Sequence, residues 1–312
     1  LDAAREQAKM ETAERETPPK KTRLTCLDET RALAIVAMMG AHFAPALFAR
    51  VPALEPLEAP VLFACRFATP AFIFVFGVTV GFVYFEKYCQ GGGAAIWESL
   101  KRRAWLLALC VVIIRTALLY DLLDRQETNP RVWLLTAYGI LTYYTFAVLS
   151  VPLWLRALRS RPILMALVLG GAHWLVGGML AFYLWPGLDK GEPLTYAEVL
   201  RCFLASGSYA YLQLSGTALL AIPLGIVLRK SVRAQTTART LLAYAAMGVV
   251  LSASGWGLGT LWGEFRTIPI VHGFVKAPPR FWYFLFFAGQ TLALLGILGL
   301  ATHYLRRLGA LL

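Results

Sequence analysis

Eight long apolar runs organise the chain, at residues 31–49, 61–85, 103–120, 132–154, 162–185, 205–228, 240–262 and 281–304. A helix of about 20 apolar residues crosses a bilayer core, and a helix is the one open structure that satisfies its own backbone there. Barrel strands would instead alternate over about ten residues, and these runs do not. The pattern predicts an all-α fold: a polytopic integral membrane helix bundle of about eight transmembrane helices. Residues 1–30 differ in kind. They carry mixed charge and no apolar stripe, are helix-prone up to Thr17 and are broken by Pro18-Pro19. This reads as a charged cytoplasmic tail, with Lys20, Lys21 and Arg23 within reach of anionic headgroups. The transmembrane domain is expected to occupy 31–312.

Composition agrees with the pattern. Of 312 residues, 58% are hydrophobic and 15% charged, where a soluble domain holds about 45–50% and about 25%. A mean hydropathy of +0.60 excludes an ordinary soluble enzyme. The formal net charge of +12 does not indicate a nucleic-acid partner, because the basic residues fall between apolar runs. With the N-terminus in the cytoplasm, seventeen Lys and Arg near the span ends fall on the inner side and eight on the outer. That asymmetry places both termini in the cytoplasm. The expected location is integral to the cytoplasmic (inner) membrane, in contact with lipids on all sides. Five cysteines form no CxxC pair, so neither a disulfide framework nor a metal site is expected.

Ionisable groups inside hydrocarbon cost about 2.5–3.5 kcal/mol each on insertion scales and are the first functional candidates. Here they are His42, Arg66, Arg115 and His173, with Arg31 at the inner mouth of the first span. Arg31 and His42 are eleven residues apart, which is about 16 Å and within roughly 20° of three full turns. One face of the first helix thus carries a cation at the mouth and a proton-transfer group near the midplane. Arg66 and Arg115 both fall in the outer half, where they need carbonyl oxygens, carboxylates or an anionic ligand; snorkelling to headgroups is the alternative. Lys101, Arg102 and Arg103 open the third span. The positive-inside rule accounts for them, and a phosphate clamp is the second reading. His173, among Gly170, Gly171, Gly177 and Gly178, reads as a packing residue.

The segment Leu27-Asp28-Glu29-Thr30-Arg31-Ala32-Leu33-Ala34-Ile35, ending in His42, resembles the opening of the membrane acyltransferase type 3 family, with its Arg, ten residues and His. Phe67 to Gly77 is similar to that family's aromatic second span, and Lys101-Arg102-Arg103 to its basic third-span start. The stretch Lys276-Ala277-Pro278-Pro279-Arg280 resembles the loop of the branch holding glucan succinyltransferases and heparan-α-glucosaminide acetyltransferase-like proteins. The resemblance implies an O-acyltransferase using acyl-CoA or acetyl-CoA as donor and a carbohydrate or lipid-linked acceptor. It implies His42 as general base or transient acyl carrier, and Arg66 and Arg115 as catalytic oxyanion or acceptor groups. Arg31, Lys101, Arg102 and Arg103 would bind the donor. The family usually has ten or more helices, so the last helices are expected to be missing or the chain to be a shortened relative. Two rival readings follow: a non-catalytic subunit of a larger membrane complex, and a small-molecule transporter, for which no internal repeat is visible.

Overall fold

The computed structural model describes residues 24–124, 129–184, 194–262 and 280–309. Residues 1–23, most of the predicted tail, lie outside the described residues, as does the lysine-proline-proline stretch at 276–279. Among the described residues every regular element is helical. Helix α1 (Thr25–Arg50) begins six residues before its apolar run, because Cys26, Leu27 and Thr30 already bury against the bundle. A short turn leads to α2 (Glu55–Cys65), which passes through Arg66 and Phe67 into α3 (Ala68–Thr79). A π-helical stretch, Val80–Phe85, carries α3 on into α4 (Glu86–Cys89). Then come α5 (Gly93–Asp124), α6 (Pro130–Ala137), α7 (Ile140–Leu158) and α8 (Pro162–Met179). The chain closes with α9 (Tyr196–Arg201), α10 (Tyr211–Arg233), α11 (Thr237–Leu261) and α12 (Phe281–Gly309).

Seven helical segments among the described residues are long and apolar enough to span a membrane: Thr25–Arg50, Glu55–Cys89, Ile140–Leu158, Pro162–Tyr183, Tyr196–Arg233, Thr237–Leu261 and Phe281–Leu305. The remaining predicted run, 103–120, lies within α5. Its 32 residues reach about 48 Å, more than the roughly 30 Å of a hydrocarbon core. Val36, Met39 and Phe43 on α1, Val112, Ile113 and Ile114 on α5, and Val249 and Val250 on α11 are all exposed. A soluble monomer rarely shows so much contiguous apolar surface. The chain is a polytopic helical membrane protein.

Helices α3 and α10 form the centre, with Ile73, Val75, Val78, Leu214, Leu219 and Ile222 buried between their neighbours. Their backbones touch. A Cβ on Gly77 would strike the Ala218 carbonyl oxygen, and one on Gly81 the Ile222 carbonyl oxygen. This small-residue seam lets two helices approach without an intervening side-chain layer, the usual packing solution in lipid.

Three of the predicted spans are interrupted, and this the hydropathy pattern did not foresee. The second breaks at Arg66–Phe67, the fourth at Tyr138–Gly139, and the sixth between Ser206 and Tyr211. Pro70 accounts for the first: it has no N–H, and its ring crowds the carbonyl four residues back, that of Arg66. Gly139 opens the second with an extended backbone, φ −160° and ψ −172°. Gly207 opens the third in the same region, with ψ 166°.

Candidate active site

Each break frees backbone carbonyls, and inside hydrocarbon these need donors. The Tyr283 hydroxyl on α12 donates to the Arg66 carbonyl at 3.1 Å. Arg115 on α5 donates to the Tyr138 carbonyl at 3.3 Å. The Tyr138 hydroxyl donates to the Phe203 carbonyl at 3.2 Å and also to that of Tyr209. The Gln213 amide donates to the Ala205 carbonyl at 2.7 Å. Tyr283→Phe strands the Arg66 carbonyl, so it is expected to destabilise the fold by about 1–3 kcal/mol. Denaturation of the purified variant in detergent measures this, and an unchanged midpoint would remove Tyr283 from the account of the first break.

Where the three breaks meet, a cavity of about 160 Å³ opens. Arg66 lines it from the first break, Ile140 from just after the second, and Tyr209 from within the third. Met38 and His42 close it on the α1 side, Thr69 and Phe72 on the α3 side, and Tyr283 on the α12 side. His42 sits at the rim, where the residue as a whole is still exposed. Gly40, two positions earlier, brings α1 close: a Cβ there would stand 2.6 Å from the Cys65 Sγ, which also lines the cavity.

The common face expected for Arg31 and His42 is what the packing shows. Arg31 pairs with Asp28 at 3.5 Å and donates a hydrogen bond to the Thr79 hydroxyl on α3. His42 meets Thr69 and Phe72 of the same helix across the cavity. Eleven residues down α1 therefore match seven to ten residues back along α3, so the two helices run antiparallel with one face in common. The Arg31 guanidinium also lies within electrostatic range of the Tyr144 hydroxyl on α7.

Arg115 is not brought to this cavity. The second break, which hydropathy conceals, supplies its carbonyl partner on Tyr138. Lys101 pairs with Glu98 at 2.9 Å and is solvent-facing, and Arg102 is exposed. The Arg103 guanidinium lies 5.8 Å from the centre of the Tyr84 ring. Tyr84 and Lys87 border an open cleft of about 380 Å³ with Gln90 and Ser99. The triplet thus lies towards the same end of the bundle as Arg31, with Tyr84 five residues beyond Thr79 on the continuous α3–α4 rod. His173 bonds the Leu169 carbonyl of its own helix at 2.8 Å, in keeping with a packing role.

The sequence reading missed one buried pair. Arg201, between the fifth and sixth predicted spans, is 9% exposed. It binds Glu198 at 2.7 Å and the Ala181 carbonyl at 3.1 Å. The available signal was Thr195-Tyr196-Ala197-Glu198, a helix-start pattern in which the Thr195 hydroxyl accepts from the Glu198 amide at 3.1 Å, placing Glu198 one turn from Arg201.

Residues 23–197 match the family described as heparan-alpha-glucosaminide N-acetyltransferase, catalytic. That segment runs from the start of α1 into α9 and includes His42, Arg66, Arg31, Arg115 and the 101–103 triplet. No curated protein and no solved structure matches the chain.

Proposed function

The chain belongs to the heparan-α-glucosaminide N-acetyltransferase catalytic family, and on that premise we propose that it moves an acyl group from cytoplasmic acyl-CoA to a carbohydrate-type acceptor reached from the outer side. His42 is the general base that takes the acceptor's proton, with transient acyl carriage as the alternative. Arg66, on the same cavity, offsets the negative charge that develops on the thioester carbonyl oxygen. Arg31 and the Lys101–Arg103 cluster hold the donor's phosphates at the inner end. Arg115 acts through the fold, by holding the break from which Ile140 enters the cavity. The family's name describes transfer to a sugar nitrogen; the acceptor proposed here is a sugar hydroxyl. The observation that carries this reading is the shared cavity of His42 and Arg66, with Arg31 on the His42 face of α1.

Reconstituted vesicles of known orientation test it. With labelled acetyl-CoA on the face bearing Lys101–Arg103 and sugars on the other, acetylated sugar should accumulate on the acceptor side. A panel of glucan and glucosaminide acceptors separates oxygen from nitrogen. Labelling of glucosaminide amines alone would move the acceptor class and leave the donor side standing. No transfer with any acceptor, together with no CoA binding, would leave the complex-subunit reading in its place.

A further inference from the structure

Between the levels of Arg31 and His42, α7 contributes a side chain with an unused polar atom. The α1 face presents Arg31, Ala34, Met38 and His42 in order, and the facing α3 surface presents Thr79, Phe76, Phe72 and Thr69. The third wall is α7, which gives Ile140 to the cavity. Tyr144 is one turn further along α7, about 6 Å from Ile140 towards the Arg31 end. Its ring meets Phe76 edge-on, with centroids 5.4 Å apart. Its hydroxyl is buried and has no hydrogen-bond partner among the described residues.

A buried hydroxyl without a partner forgoes about 1–3 kcal/mol, and Phe would fill the same space without that penalty. The hydroxyl is therefore suited to a partner that arrives with a ligand. Between a guanidinium at the mouth and an imidazole at the cavity, the ligand must be anionic at one end and extended, with a polar group partway along. We propose that the Tyr144 hydroxyl is the subsite for the amide-bearing pantetheine arm of acyl-CoA, donating a hydrogen bond to an amide carbonyl as the arm passes from Arg31 towards His42. The inference rests on the acyl-CoA reading above and adds the residue that guides the arm.

The test is Tyr144→Phe, which removes one oxygen and keeps the ring. Two probes are titrated into full-length protein: CoA, and 3′-phosphoadenosine 5′-diphosphate, which has the phosphates but no arm. The variant should bind CoA about three- to tenfold more weakly, the worth of one neutral hydrogen bond, and bind the armless nucleotide as the wild type does. In turnover, KM for acetyl-CoA should rise by the same factor with kcat retained, the signature of binding lost equally from ground and transition states. Thermal stability should be unchanged or slightly raised. Equal affinity of wild type and variant for CoA would overturn the proposal while the donor reading stands. Equal weakening of both probes would also overturn it, since the loss would then lie at the phosphate end. If wild-type protein binds neither probe, the donor reading fails and this inference fails with it.

Discussion

Replacing His42 by Gln is expected to cost about 10²- to 10⁴-fold in acyl transfer, the usual worth of a positioned general base, while the protein still inserts and folds. The two halves of that expectation have separate grounds. Among the described residues His42 makes no hydrogen bond, unlike His173, whose ring is tied to Leu169. It therefore carries little of the bundle's stability. Its place is on the cavity shared with Arg66, so loss of the imidazole removes the group able to take a proton there. Gln keeps a polar side chain of similar reach but cannot act as a base. The measurement is turnover of labelled acetyl-CoA by variant protein whose detergent melting curve overlays that of the wild type. Full activity in a folded variant would end the role of His42, and the transfer mechanism would need another base.

Glu198→Ala is expected to have the largest effect on stability, about 3–5 kcal/mol, because it leaves a buried guanidinium without its counter-charge. Both side chains are largely enclosed, at 11% and 14% exposure. The Arg201 Nε is buried with no partner among the described residues, so none of them offers a spare acceptor. Replacing both residues by Leu removes the charge together with its partner, and most of the loss should then be recovered. Denaturation of the single variant and the double variant in detergent decides it. A Glu198→Ala protein that unfolds with the wild type would show that water or headgroups already solvate the pair.

The spans were readable because hydrocarbon demands a long apolar run whatever the tertiary packing. The common face of Arg31 and His42 was readable because helical angle and rise are fixed by the backbone alone. What hydropathy conceals is where a carbonyl finds its donor. Pro70 marks the first break in the sequence, but its consequence depends on Tyr283, 217 positions from Arg66. Nothing local announces the second, since Tyr138 and Gly139 sit inside an apolar run and the donor is Arg115, 23 residues back. Arg115 likewise shows in the sequence the cost of a cation in a span but not its acceptor, the Tyr138 carbonyl. Glu198 and Arg201 gave no sign of burial, because a spacing of three is equally common on solvent-facing helices.

The three breaks also set the polarity of the cavity they enclose. Side chains satisfy the freed carbonyls of Arg66, Tyr138, Phe203 and Ala205. The helices that restart there, α3, α7 and α10, have no side-chain cap on their first amides. At these breaks side chains thus serve the carbonyl-bearing helix ends and leave the amide-bearing starts to the backbone, and a helix start carries a partial positive charge. With Arg66 added, the room favours an oxyanion and repels an ammonium. On the acceptor proposed above, that polarity suits a neutral sugar hydroxyl better than a protonated sugar amine.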